Sequence, residues 1–179
     1  MEVNTENLAT NREQWVSIDG YCNYEISWWG RVRNATTGRI LKGSVCSKGY
    51  VSVGLRKNKK QKTHLIHQLV AREWIANPGE RPCVDHIDGC KTNNHYENLR
   101  WATHSENSRN QKNRTNTSSA YKGVHFYKAR QNWVSKINFD AKQKHLGYFE
   151  TEREAAEAYN TAAVEHFGEF ARLNTFAED

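Results

Sequence analysis

The chain has 179 residues, of which 37% are hydrophobic, and a formal net charge of +6; its mean hydropathy is -0.92. No apolar run approaches the roughly 20 residues that a membrane-spanning helix needs, and the polar, acidic N-terminus has no signal or transit pattern. We therefore expect a soluble cytoplasmic protein with no membrane partner, whose small cores depend on its six Trp and eight Tyr.

Charge is arranged in blocks along the chain. Residues 26–72 carry eleven Lys/Arg and no acid, and residues 108–148 carry nine bases and one acid. The segment between them is net acidic and rich in His. Two such basic blocks favour a polyanionic partner.

The four cysteines are Cys22, Cys46, Cys83 and Cys90. They form no C-x-x-C pair, so the sequence predicts reduced thiols and no structural zinc. No small-molecule cofactor is expected either.

The first region follows a loosely ordered tail, predicted over residues 1–13, and spans 14–78. Short strands are predicted at "YEIS" and "GRVRN", with a turn at "ATTG" leading back into "RILKG". The stretch "GYVSVGLRKNKKQKTHL" predicts a hairpin with the basic tip "RKNKKQK". Helical spacing of apolar residues in "HLIHQLVAREWIA" predicts that this β-rich module ends in a helix.

The second region spans 79–112 and has the order strand, loop, strand, helix. "CVDHI" predicts the first strand, "GCKTNNHYE" a polar loop and "NLRW" the returning strand. The helix begins in "THSENSRNQ", where Thr103 and Glu106 form a T-x-x-E capping box.

A polar linker over 113–120 leads to the third region, 121–179. Three strands are predicted between Tyr121 and Phe149. The amphipathic helix "TEREAAEAYNTAAVEHFG" follows, with a second capping box at Thr151 and Glu154. Together the regions predict an α+β fold of small modules, the last one a three-stranded antiparallel sheet packed on one helix.

The central region concentrates side chains that bind metals or move protons. The carboxylate of Asp85 and the amide oxygen of Asn107 would form a sparse hard site that suits Mg²⁺, with Mn²⁺ as a substitute. His86, beside that metal, is the predicted general base, and Asn98 is expected to fix its tautomer.

Neighbouring polar residues receive other assignments. His104 competes with Asn107 as the second metal ligand, and we favour Asn107. Asp88, Asn93 and Asn94 are interpreted as loop formers, since Asp and Asn favour tight turns. His95 is interpreted as a solvated loop residue.

The pattern "VDHIDG…NN…ENLRW…SEN" resembles the HNH nuclease motif with its ββα-metal hairpin, in the form found in phage and intron homing endonucleases. The resemblance implies Asp85 and Asn107 as metal ligands, His86 as general base and Asn98 as the residue that orients it. It also implies a site-specific, metal-dependent endonuclease of double-stranded DNA that leaves a 5′-phosphate and a 3′-hydroxyl. With one site per chain, we expect a monomer that nicks one strand.

Both flanks resemble known DNA-binding modules. The pattern "W…I.GY..YEIS..GRVRN" resembles a nuclease-associated N-terminal module. Residues 121–176, with "YKGV", "WVSKI" and "LGYF", resemble the plant APETALA/ERF-type domain, which lays its sheet in the DNA major groove. The predicted DNA-binding residues are Arg31, Arg33, Lys57, Lys59, Lys60 and Lys62 in the first region, Arg109, Lys112 and Arg114 near the linker, and Lys122, His125, Lys128, Arg130, Trp133, Lys136, Lys144 and Tyr148 in the third.

Several alternatives stay open. Trp133 is either a groove-facing residue or part of the core, and the linker bases either contact DNA or form a plain tether. The whole chain could instead be a sequence-specific DNA-binding regulator with a structural HNH fold. RNA as the target is a weaker alternative, because no known aromatic stacking platform is apparent.

Overall fold

The computed structural model describes residues 13–111, 113, 117–140 and 142–176. The chain divides into two compact units, Met1–Ala102 and Thr103–Asp179, and each buries its own apolar side chains. All strand pairs of the described residues are antiparallel. The predicted α+β class of small modules is confirmed. Of the predicted tail, all but Glu13 lies outside the described residues.

The N-terminal unit opens with a three-stranded meander. Its strands are β1 (Trp15–Ile18), β2 (Tyr21–Ser27) and β3 (Val32–Asn34), in that order across the sheet. Ile26 of β2 pairs with Val16 and Val32 and is fully buried. The strands predicted at "YEIS" and "GRVRN" are confirmed, whereas "RILKG" contributes one isolated bridge, from Ile40 to Arg33.

A second sheet carries much of the first basic block. It orders β4 (Ser44–Val45), β5 (Val51–Lys57) and β6 (Lys60–Leu65). The turn between β5 and β6 consists of Asn58 and Lys59, whose φ angles of 51° and 63° are typical of a tight hairpin turn. The predicted hairpin is confirmed: its turn lies within the basic tip "RKNKKQK", and the rest of that tip is mostly paired strand.

One helix and a short hairpin complete this unit. Helix α1 (Ile66–Trp74) is followed by β7 (Cys83–His86) and β8 (Leu99–Ala102), which pair with each other. A 3-10 turn, Tyr96–Asn98, leads into β8. Val84 of β7 and Leu99 of β8 join the core built from α1 and both sheets. The hairpin is thereby fixed on the N-terminal module.

The C-terminal unit begins with the short helix α2 (His104–Arg109). The strands β9 (Val124–Tyr127), β10 (Asn132–Phe139) and β11 (Lys142–Phe149) form a sheet with β10 in the centre. Helix α3 (Glu152–Phe167) packs on this sheet through small residues, and a 3-10 turn, Gly168–Phe170, follows it. Both predicted capping boxes are formed. Among the described residues, no helix is long and apolar enough to span a bilayer.

Candidate active site

The β7–β8 hairpin holds the first part of the predicted site. Asp85 and His86 are the last residues of β7 and lie opposite Arg100 and Leu99 of β8. The side chains of neighbouring strand residues point to opposite faces, yet Asp85 and His86 are each only 4% exposed. A carboxylate and an imidazole buried this deeply need polar partners.

Asp85 is held by an ion pair. Nε and Nη2 of Arg100 donate to Oδ2 of Asp85 at 3.0 and 2.8 Å. The guanidinium compensates a carboxylate charge whose burial alone would be costly. Sequence reasoning missed Arg100, because its contact depends on the strand register that places it directly opposite Asp85.

The imidazole of His86 meets an amide from the loop between the strands. Its Nε2 lies 3.2 Å from Oδ1 of Asn94, and Nδ2 of Asn94 donates to the carbonyl of Thr92 at 3.2 Å. Because the second bond identifies the oxygen end of the amide, we assign the ring hydrogen to Nε2 and the basic lone pair to Nδ1. Burial lowers the pKa of His86, which the Asn94 bond and nearby carboxylates oppose in part. The ring is therefore neutral at neutral pH.

Asn98 has different contacts from those expected. Its Oδ1 accepts from the backbone N–H of Asp88 at 3.1 Å, and its Nδ2 donates to Oδ1 of Asp88 at 3.0 Å and to the carbonyl of Asn93 at 2.8 Å. These bonds close the loop that carries Asn94 to His86. The direct contact with the imidazole is made by Asn94, which sequence reasoning assigns to turn formation, and a catalytic role for Asn98 stays a prediction.

This loop rests on the first sheet. A Cβ atom at Gly30, in the turn before β3, would lie 2.7 Å from Cβ of Asn94, so only glycine permits the approach. The backbone N–H of Tyr96 donates to the carbonyl of Trp28 at 2.8 Å, and the two rings stack with centroids 5.8 Å apart. The N-terminal module therefore supports the loop that orients His86.

The two candidate second ligands lie on α2, in the C-terminal unit. Asn107 is half-buried and His104 is exposed. The N–H of Asn107 donates to the carbonyl of the N-cap residue, Thr103, at 3.0 Å. Both assignments stay predictions.

The predicted DNA-binding residues of the N-terminal unit fall into two groups. Arg31 forms an ion pair with Glu13, and Arg33 lies 2.6 Å from Glu25, with its guanidinium 4.3 Å from the centroid of the Trp15 ring. Both arginines are thus engaged on the first sheet. The other four predicted cations lie on the β5–β6 hairpin, where all are exposed: Lys57, Lys59, Lys60 and Lys62.

In the C-terminal unit, most of the predicted residues lie on the sheet or its turns. His125 and Tyr148 both pair with Val134, while the residue before Val134, Trp133, packs towards α3 with Val124 and Ala155. The face opposite α3 therefore carries His125, Lys136 and the exposed Tyr148, with Arg130 4.8 Å from the Tyr148 ring centroid. Lys128 is exposed in the turn after β9. Lys144 is also exposed, but it pairs with Ile137 and its Nζ lies 5.9 Å from the Phe139 ring centroid, so it belongs to the α3 side of the sheet rather than to the predicted groove-facing side.

Five further predicted contacts need correction or restriction. Trp133 belongs to the helix-packed side of the sheet, which is the core alternative. Lys122 is half-buried and its Nζ donates to the carbonyls of Arg109 and, at 2.8 Å, Gln111, so it fastens the end of α2 rather than facing a groove. Burial, with a smaller effect of Arg172, lowers the pKa of Lys122 to about 8. The guanidinium of Arg109 lies 4.7 Å from the Phe167 ring centroid. Lys112 and Arg114 lie outside the described residues.

Comparison with known families matches two parts of the chain. The model of the NUMOD4 motif matches residues 13–56, and that of an HNH endonuclease matches residues 73–109. The second range contains Asp85, His86, Asn94, Asn98 and Asn107. The site described above therefore lies within a recognised nuclease motif.

Individual relatives extend the match. The chain is 44% identical over 94 residues to the uncharacterized HNH endonuclease L245 of Acanthamoeba polyphaga mimivirus, covering 52% of this chain and 28% of that protein. It is 40% identical over 102 residues to the DNA endonuclease I-HmuI of Bacillus phage SP01, covering 56% of this chain and 59% of that protein. The chain thus spans less than two thirds of both curated relatives.

A solved structure covers most of the chain. The structure, described as DNA binding and cleavage by the HNH homing endonuclease I-HmuI, matches with a TM-score of 0.53 and 30% identity, over 86% of this chain and 91% of that chain. The protein belongs to the family of HNH homing endonucleases.

A further relative is a plant transcription factor. The chain is 46% identical over 57 residues to the AP2-like ethylene-responsive transcription factor TOE2 of Arabidopsis thaliana. The match covers 32% of this chain and 12% of that protein. The match agrees with the predicted APETALA/ERF-type domain, whose assignment stays a prediction.

Proposed function

We propose that this protein is a site-specific DNA endonuclease of the homing type, which requires a divalent metal and hydrolyses a phosphodiester to a 5′-phosphate and a 3′-hydroxyl. One observation carries the proposal. A neutral imidazole, His86, is buried beside a carboxylate, Asp85, and oriented by an amide, Asn94, in a member of the HNH homing endonucleases. The alternative of a purely DNA-binding regulator gives no reason for this arrangement.

His86 acts as the general base. With its hydrogen on Nε2 and bonded to Asn94, the lone pair on Nδ1 accepts a proton from the water that attacks phosphorus. Neutral imidazole is required for this step, and burial keeps the pKa of His86 low enough to supply it. The Asn94 bond then stabilises the imidazolium that forms, because Oδ1 faces its Nε2 hydrogen.

Asp85, together with Asn107, would hold the metal. A carboxylate and an amide offer the hard oxygen donors that Mg²⁺ and Mn²⁺ prefer, and the ion pair with Arg100 holds the buried carboxylate of Asp85 in a fixed orientation. When bound, the metal supplies charge stabilisation for the scissile phosphate and the departing 3′ oxygen. We favour Mg²⁺ as the cofactor, with Mn²⁺ as a substitute.

Double-stranded DNA is the proposed partner, and each unit offers a cationic surface to it. In the N-terminal unit this is the β5–β6 hairpin, whose exposed lysines suit phosphate contacts. In the C-terminal unit it is the sheet face opposite α3, with Arg130 and Lys136. A single active site per chain favours a monomer that nicks one strand.

The proposal is tested by separating binding from cleavage. A supercoiled plasmid library carrying genomic DNA fragments of the source organism is incubated with the protein in EDTA and then in Mg²⁺. We expect DNA binding under both conditions and nicked circles with 5′-phosphate ends only with the metal. Binding without cleavage after the addition of Mg²⁺ or Mn²⁺ would instead support the DNA-binding regulator.

A further inference from the structure

A second histidine packs directly on the proposed general base. His67 lies on α1, and its ring centroid is 5.0 Å from that of His86 with an interplanar angle of 62°, an edge-to-face contact. Tyr50 lies against both rings, with centroids 4.7 Å from His67 and 5.9 Å from His86. Two aromatic side chains from outside the β7–β8 hairpin therefore border the imidazole of His86.

His67 contacts His86 by packing its ring against the imidazole of His86. His67 is only 4% exposed, and its Nδ1 is buried without a hydrogen-bond partner among the described residues. Burial, with a smaller effect of His86, lowers the pKa of His67 to about 4. A neutral ring places no positive charge beside a base that becomes positive when it accepts a proton.

His67 comes from neither matched motif. It falls between the NUMOD4 match, residues 13–56, and the HNH match, residues 73–109. Helix α1 brings it to the site because Ile66, Leu69 and Val70 fix that helix in the core of the N-terminal unit. The N-terminal module is thus part of the site's packing as well as a candidate DNA-binding element.

We propose that His67 is a positioning residue for His86: its buried ring, backed by Tyr50, holds the imidazole of His86 in the orientation in which Nε2 meets Asn94. The proposal rests on the proposed function of His86 as general base. Because the contribution is ring packing, a phenyl ring should replace His67, whereas a small side chain should not. Misplacement of a reacting group by about 1 Å can cost 100-fold in rate.

The test compares His67→Ala with His67→Phe in the full-length protein. The control is His64→Ala, because His64 lies on β6 and packs against Tyr21, with ring centroids 4.9 Å apart. Single-turnover cleavage is measured with protein in excess over DNA and with Mg²⁺, and DNA affinity is measured in EDTA. We expect His67→Ala to cleave about 30- to 100-fold more slowly with affinity within about 3-fold of wild type. His67→Phe and His64→Ala should cleave at nearly the wild-type rate.

Other results would overturn the proposal. Cleavage by His67→Ala at the wild-type rate removes the positioning role, and His67→Phe as slow as His67→Ala removes the ring-packing explanation. If His67→Ala does not fold, as judged by circular dichroism, His67→Leu takes its place, since it refills the space without a ring.

The two proposals can fail separately. If the wild-type protein does not cleave DNA at all, the proposed function fails, and His67 is then tested by NMR of the His86 ring. Positioning by His67 predicts that His67→Ala shifts the His86 ring signals and mixes its tautomers, and that His67→Phe does not mix them. An unchanged His86 tautomer in His67→Ala overturns the positioning role whatever the cleavage result.

Discussion

At the scale of single residues, the pair Asp85–His86 is visible in the sequence, but its partners are not. By local pattern, Arg100 is a strand residue and Asn94 a turn residue. Arg100 reaches Asp85 only through the register of β7 and β8. Asn94, rather than the adjacent Asn93, turns inward because the loop approaches Gly30 closely at Asn94. No local sequence pattern encodes that approach.

The first prediction separates these two adjacent asparagines. Asn94→Ala removes the oxygen that lies 3.2 Å from Nε2 of His86, so the imidazole loses its preferred tautomer, and we expect single-turnover cleavage to fall by about 10- to 100-fold. Asn93→Ala is the control, since that exposed amide donates to Asp88 at 2.8 Å and should change the rate only a few-fold. Equal losses in the two variants would show that the loop as a whole, rather than the Asn94 contact, matters.

At the scale of elements, local chemistry predicts most of the helices and strands. Both T-x-x-E boxes begin the helices where the sequence places them, and the β5–β6 hairpin follows its alternation. The turn of that hairpin lies within the predicted basic tip, at Asn58 and Lys59, whereas the pairing of the flanking lysines is fixed only by the strand register. Contacts between elements, such as α1 with the imidazole of His86, depend on packing and could not be predicted locally.

The second prediction concerns the turn between β2 and β3. Gly30 has φ of +79° and would place a Cβ 2.7 Å from Cβ of Asn94, whereas Gly38 has φ of +69° with nothing within 4 Å. Gly38→Ala should therefore lower the free energy of unfolding only by the cost of its backbone strain, about 1 kcal/mol. Gly30→Ala should lower the free energy of unfolding by roughly 2 kcal/mol or more, since overpacking is added to that strain.

Urea unfolding and single-turnover cleavage measure both variants. We expect Gly30→Ala also to cleave more slowly, because the added methyl displaces Asn94, and Gly38→Ala to cleave as wild type does. The close approach of turn and loop is refuted if the two variants are equally stable and equally active.

At the scale of the whole molecule, the charge blocks indicate a polyanion partner without any knowledge of the fold. The sequence also predicts strand, loop, strand and helix in one module over 79–112, whereas the compact units separate at Ala102 and Thr103. Two four-residue strands cannot bury a core of their own, so Val84 and Leu99 join that of the N-terminal unit. The proposed boundaries between modules remain predictions.

The third prediction is a steep dependence of DNA affinity on salt. Release of counterions from several phosphate contacts should weaken binding on the order of 10³-fold between about 50 and 200 mM salt. Replacing Lys59, Lys60 and Lys62 by Gln should make the slope of log K against log salt less steep by about three. This is near one for each phosphate that a lysine no longer neutralises. Lys122→Met is the control, because Lys122 donates to backbone carbonyls and should leave the slope unchanged. A flat salt response in EDTA would contradict nucleic-acid binding by these surfaces.

The most direct test of the central claim is the single-turnover cleavage rate of His86→Gly on bound DNA in Mg²⁺, with and without added imidazole. His95→Gly, in the adjoining loop, serves as the control. We predict that His86→Gly binds DNA as wild type does, fails to cleave it, and recovers part of the rate when imidazole supplies the missing base, while His95→Gly cleaves normally and is unaffected by imidazole. Cleavage by His86→Gly at the wild-type rate without imidazole would contradict the assignment of His86 as the group that activates water.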